Sequence, residues 1–130
     1  MGEDDALQRA YAKRRAVLGD EYVDSVTSEA DPAAQEFQDF ITSTAWGVWT
    51  REGPLTTRDR SLLVLAITAT SGRMEEFRLH AAAAPRAGVS DAEIDELLYQ
   101  LVAYAGGPAG VSARRVIRQL RADRDGVPEA

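Results

Sequence analysis

The sequence predicts an all-α protein, and three observations carry that prediction. Apolar residues recur at i, i+3 and i+4 spacings along almost the whole chain. No segment alternates apolar and polar residues in the period-two manner of a half-buried strand. Helix-capping signals punctuate the periodic stretches at the places where one helix must stop and the next begin. About six helices are expected.

The elements follow in chain order. Leu7, Ala10, Tyr11, Val17 and Leu18 give a first amphipathic stripe that ends before Gly19. Asp31-Pro32 reads as an N-cap followed by proline at the first helical position, where a missing N–H costs nothing. That helix runs through Phe37, Phe40, Ile41 and Trp46. "REGPL", Arg51 to Leu55, is a turn, and Thr56 with Asp59 three residues on makes a capping-box pattern. The segment that follows, "SLLVLAITAT", is apolar on nearly every side, which predicts a central helix covered all round. Gly72 breaks or bends the chain, and the helix after it ends at Pro85-Arg86-Ala87-Gly88, with glycine in the stop position. Ser90 and Glu93 form a second capping box ahead of Ile94, Leu97, Leu98, Leu101 and Val102. The last helix spans roughly Ala109 to Ala122 and turns Val116, Ile117 and Leu120 inward. Residues 1–122 read as one domain, and 123–130 as a polar, disordered tail.

Composition narrows the function. At 130 residues the chain buries one sizeable core. A formal charge of -6 argues against nucleic acid, whose phosphates need a basic face. No apolar run approaches the ~20 residues of a membrane span, and "MGEDDALQRA" has no apolar signal core, so a cytoplasmic protein is expected. With no cysteine and one histidine, thiol chemistry and multi-histidine metal sites are excluded within one chain. No metal or cofactor is expected. Carboxylates, arginines, hydroxyls and one imidazole remain.

That imidazole is His80. On a helical wheel Arg73, Glu76 and His80 fall within about 60° of one another, at the border of the apolar face. Glu75 and Arg78 point to the solvent side. Glu76, one turn before His80, is within reach of a carboxylate–imidazole hydrogen bond that would hold the ring and raise its pKa. Spacing alone leaves a second reading open: a surface Arg73–Glu76 ion pair beside a boundary histidine. The alanines after His80 fit close helix packing as well as room for a ligand.

Several stretches together resemble the carboxymuconolactone decarboxylase family: "FQDFITSTAWGVWTREG", "RDRSLLVLAITATSGRMEEFRLH" and "AGVSDAEIDELLYQLVAYAGGPA". The resemblance runs collinearly from about Val17 to Arg121, and the subgroup resembled is the 4-carboxymuconolactone decarboxylases of protocatechuate catabolism. It implies an alkylhydroperoxidase-like helical bundle that assembles into a ring, a trimer or hexamer of identical chains. It also implies cofactor-free loss of CO₂ from a small anionic lactone. The Cys-x-x-Cys of the peroxide-reducing relatives is replaced by Arg73 and Glu76.

On this resemblance His80 is the proton donor or dienolate stabiliser and Glu76 its orienting carboxylate. Arg73 anchors a substrate carboxylate, Arg60 contributes from the preceding helix, and Trp46, Trp49 and Tyr104 wall the pocket from water. Each has a structural alternative: an ion pair of Arg60 with Asp59 or Glu76, core or interface packing for the tryptophans, and a helix-end cap for Tyr104. Departures cluster after the histidine, where the subgroup carries an arginine and an Asn-Asn-Gly turn and this chain has "AAAAPRAG". An asparagine expected near Val111 is also missing. A different small lactone, oxoacid or polyketide-like substrate, or a non-catalytic oligomeric binding protein, are the alternatives these departures raise.

Overall fold

The computed structural model describes residues 2–29 and 31–126. Every regular element among them is helical. They divide into two compact units, the first ending at Thr56 and the second beginning at Thr57.

The first unit holds α1 (Glu3–Leu18), α2 (Asp20–Thr27), α3 (Pro32–Ile41), a π-helical turn (Thr42–Trp46) and the short α4 (Gly47–Trp49). Ala10, Val17 and Leu18 are buried, as the stripe on α1 requires. Asp31 caps α3 by accepting the Ala33 amide at 3.3 Å, with Pro32 at the first helical position. Two expectations fail here. The helix expected to run through Trp46 ends at Ile41, where a π turn takes over; it has no buried residue, and Phe37 and Phe40 are 59% and 63% exposed. α2 was not expected at all. Only Val23 of this two-turn helix is buried, too short an apolar stripe to register as a period.

α1 is tied to the segment after it by polar contacts. Arg14, 6% exposed, donates from Nη1 to Gln38 Oε1 and to Thr42 Oγ1, both at 2.9 Å. Tyr11 donates to Asp39 at 2.6 Å. A guanidinium with neutral acceptors still suffers desolvation, and burial pulls the Arg14 pKa below its ordinary value. The π turn at its end carries one residue more per turn than an α-helix, a feature common at functional sites. Beyond it the rings of Trp46 and Trp49 stack, with centroids 4.9 Å apart.

The second unit holds α5 (Thr57–Thr70), α6 (Met74–Ala87), α7 (Asp91–Ala105) and α8 (Gly107–Asp125). Leu65, Phe77, Ala84 and Ala113 are fully enclosed, and Ala69, Ala81, Ile94, Leu98, Val116 and Ile117 complete the core. Small residues on α5, α6 and α8 let the helices approach closely around Phe77, whose truncation to alanine would cost about 3–5 kcal/mol. The Ser90–Glu93 capping box is fully formed, at 2.9 and 3.1 Å, and the second oxygen of Glu93 pairs with Arg58 of α5. Gly88 closes α6 in the left-handed conformation, φ 88°.

α5 corrects the expectation of a helix covered all round. Ser61, Leu65 and Ala69 are buried, but Leu63 and Ile67 stand 47% and 61% exposed on the opposite face. An apolar face can be left open in one chain. α8 begins two residues before the expected Ala109 and continues through Asp125, into the segment read as a disordered tail. Residues 127–130 of that tail lie outside the described residues.

Gly110 explains how α7 and α8 meet. A Cβ there would lie 2.2 Å from a Val102 methyl, so only glycine permits this crossing.

Candidate active site

α6 assembles the core of the site. Arg73 stands at its N-cap with φ −86° and ψ 71°, exposed, and its side chain makes no capping bond. Glu76 is exposed in the first turn. His80 follows one turn later, partly buried, while Phe77 and Ala81 on the adjoining sector enter the core. The helix therefore places a solvated carboxylate and a half-covered imidazole on one edge, as the wheel predicts.

The electrostatics run opposite to the expectation. Burial disfavours the imidazolium more than Glu76 favours it, and the His80 pKa falls to about 4. At neutral pH the ring is uncharged, a hydrogen-bond donor at one nitrogen and an acceptor at the other. The carboxylate's effect is weak because Glu76 is exposed and its field is screened by water.

Arg78 also departs from the wheel. It is half-buried and donates to Gln119 Oε1, tying α6 to α8. Glu75 is exposed as expected. The alanine run divides between packing and surface. Ala81, Ala83 and Ala84 are buried, whereas Ala82 and Pro85 line an open cavity of about 150 Å³ shared with Ile94, Ile117 and Leu120. Three charged residues, Asp91, Arg121 and Arg124, stand at that cavity, joined by ion pairs of 3.0–3.8 Å.

The remaining candidates are dispersed along the chain. Arg60 is half-buried in the first turn of α5. Tyr104, in the last turn of α7, is 87% exposed and lines a cavity of about 200 Å³ with Ala66, Thr70, Leu97 and Leu101. Trp46 and Trp49 belong to the first unit and are both buried. Thus α6 carries Glu76 and His80, Arg73 stands at its N-cap outside the helical register that the wheel assumes, and the other four come from separate elements.

Sequence reasoning missed Arg14. Its run, "AKRRA", reads as a solvated charged face, yet position 14 lies on the stripe formed by Ala10, Val17 and Leu18. A charged residue at an apolar register was the available signal.

Fold and site together define an all-helical protein whose candidate chemistry rests on a histidine–carboxylate pair and no thiol. The sequence profile of the carboxymuconolactone decarboxylase family matches residues 35–119. The chain belongs to that family. It is 33% identical to the 4-carboxymuconolactone decarboxylase of Acinetobacter baylyi over 130 aligned residues, 99% of this chain and 96% of the relative. It is 36% identical to the nitrosuccinic acid decarboxylase of Metarhizium robertsii over 107 residues, 82% of this chain and 74% of the relative. Among the described residues no helix is long and apolar enough to cross a membrane.

Proposed function

We propose that the protein is a cofactor-independent decarboxylase that converts 4-carboxymuconolactone to the β-ketoadipate enol-lactone. The observation that carries this reading is the similarity to a 4-carboxymuconolactone decarboxylase along 99% of the chain. The Glu76–His80 pair on α6 supports it with chemistry of the required kind. Residues 1–122 act as one catalytic domain, and the working form is a cytoplasmic homo-oligomeric ring, a trimer or hexamer.

The reaction breaks the bond between the ring carbon and its carboxylate. CO₂ leaves, and the electron pair stays behind, delocalising through the unsaturated lactone to its carbonyl oxygen. One proton then returns to carbon, so each CO₂ released consumes one proton. The His80 ring donates a hydrogen bond to the oxygen on which charge develops. Arg73 holds a second carboxylate of the substrate, and Arg60 adds positive charge. An anionic lactone beside His80 raises the pKa of the ring, because a negative neighbour favours the charged form. Substrate binding thus draws onto His80 the proton that carbon requires, and solvent reloads it after each turnover. Exclusion of water from the site keeps the departing carboxylate poorly solvated.

A second reading is favoured by two observations: the similarity to a nitrosuccinic acid decarboxylase, and the uncharged Ala82 and Pro85 beside the cavity on α6. Here the same chemistry serves a different small oxoacid. Loss of ultraviolet absorbance on incubation with 4-carboxymuconolactone separates the two. Turnover by the wild type, reduced about 100-fold or more in His80→Ala with helical circular dichroism unchanged, is the expected result. No turnover of this lactone by the wild type rejects the first reading, and near-normal turnover by His80→Ala rejects the role of the histidine.

A further inference from the structure

The face of α7 and α8 carries a groove of about 740 Å³ lined by none of the residues assigned a role in decarboxylation. Tyr99, Val102 and Val111 line it and are 74%, 46% and 59% exposed, an unusual concentration of large apolar side chains on one face. Arg114 and Arg118 flank it. α8 is strongly basic within an acidic chain, with five arginines against two aspartates.

The charges on this face divide into two sets. Arg121 pairs with Asp95 at 2.8 Å and Arg124 with Asp91 at 3.0 Å. Among the described residues no carboxylate pairs with Arg114 or Arg118, and no cation pairs with Glu96. Glu96, Tyr99 and Ala103 are all exposed and follow one another at i, i+3 and i+7, forming a ridge along α7. One face therefore offers an apolar ridge with an open acid and, beside it, an apolar groove with open cations.

We infer that this face is where two copies of the chain pair about a twofold axis, the α7 ridge of each seated in the α7–α8 groove of the other. A twofold contact must be complementary to itself, and a face holding both a ridge and a groove, and both signs of charge, meets that condition. Tyr99 is the central anchor, and Glu96 of each copy meets Arg114 and Arg118 of the other. Tyrosine and arginine are the side chains on which interfaces most depend. Gly110 contributes indirectly, because the close crossing it allows sets the depth of the groove. An unrelated acidic protein or a fatty anion would need only the cations and the apolar floor, and neither accounts for the adjacent acid. The inference rests on the hexameric form of the oligomeric reading above, since a cyclic trimer has no twofold axis, and does not depend on the substrate.

Light scattering on the full-length chain after size exclusion tests it. The wild type is expected at an even multiple of the protomer mass, and an odd one overturns the pairing. Tyr99→Ala, and separately Arg114→Glu with Arg118→Glu, should lower that mass by about twofold or more while leaving the helical signal intact. Adding Glu96→Arg to the arginine double variant should restore the wild-type mass. A monomeric wild type, an unchanged mass in both sets of variants, or a loss that Glu96→Arg does not restore overturns the pairing. Tyr99→Ala, at an exposed position, keeps the test decisive if the charge variants misfold. Turnover of the lactone by the wild type is recorded separately, so failure of the decarboxylase reading leaves this result standing.

Discussion

At His80 burial and charge pull in opposite directions, and burial wins, with a pKa of about 4 against an ordinary 6.5. The consequence for stability has a definite sign. Above pH 6.5 neither the folded nor the unfolded chain protonates this ring. As pH falls from 6.5 to about 4 the unfolded chain takes up a proton that the folded chain refuses, so stability is lost across that window, by about 2–3 kcal/mol at its acid end. His80→Asn removes the titration. Thermal melts of the two proteins should therefore diverge between pH 7 and pH 4, with the wild type losing the greater stability. Parallel curves would show that the ring titrates normally. The position of His80 was legible from the wheel, but its charge state was not. Spacing reveals which carboxylate is near, whereas the depth of cover over the ring depends on how the neighbouring elements pack. Arg14 teaches the same lesson from the other side. A cation on an apolar register is readable as an anomaly, and only the fold supplies Gln38 and Thr42 as its acceptors.

Among the elements, α7 and α8 depend on one another most visibly at Gly110. Gly110→Ala sets a methyl against Val102, whose β-branched side chain has little rotamer freedom in a helix. The expected loss is about 1–3 kcal/mol of unfolding free energy, read from urea denaturation. Val102→Ala in the same chain should recover part of it, since the double variant removes the clash. If the two losses simply add, the crossing is looser than the geometry indicates. Caps were the most legible parts of the elements. Asp31-Pro32, Ser90 with Glu93 and Gly88 act as local chemistry dictates, because each satisfies groups within a few residues of itself. The π turn at Thr42–Trp46 was illegible, as it shifts the helical register by one residue without any distinctive residue type.

For the whole molecule, the sequence shows which residues belong on an apolar face and leaves open whether one chain suffices to cover it. Phe37, Phe40, Leu63 and Ile67 follow a core-like period, yet all four are exposed in the single chain. Periodicity cannot distinguish burial within a chain from burial between copies, because both withdraw the same area from water. If copies cover such faces, association adds to apparent stability and the unfolding midpoint rises with protein concentration. Scanning calorimetry over a dilution series should show that rise in the wild type and a flatter dependence in Tyr99→Ala. A midpoint independent of concentration in the wild type would mean that the exposed faces remain in water.

The alanine run on α6 also bears on how such a protein can change over generations. Ala81, Ala83 and Ala84 are locked, since any added carbon must displace the packing around Phe77 or its neighbours. Ala82 and Pro85 are exposed at the mouth of a cavity and can be exchanged with little effect on folding. Within five consecutive positions the helix separates what descent must preserve from what it is free to explore. Single-nucleotide changes at Ala82 and Pro85 are thus a short mutational path by which the lining of this cavity can vary without loss of the fold.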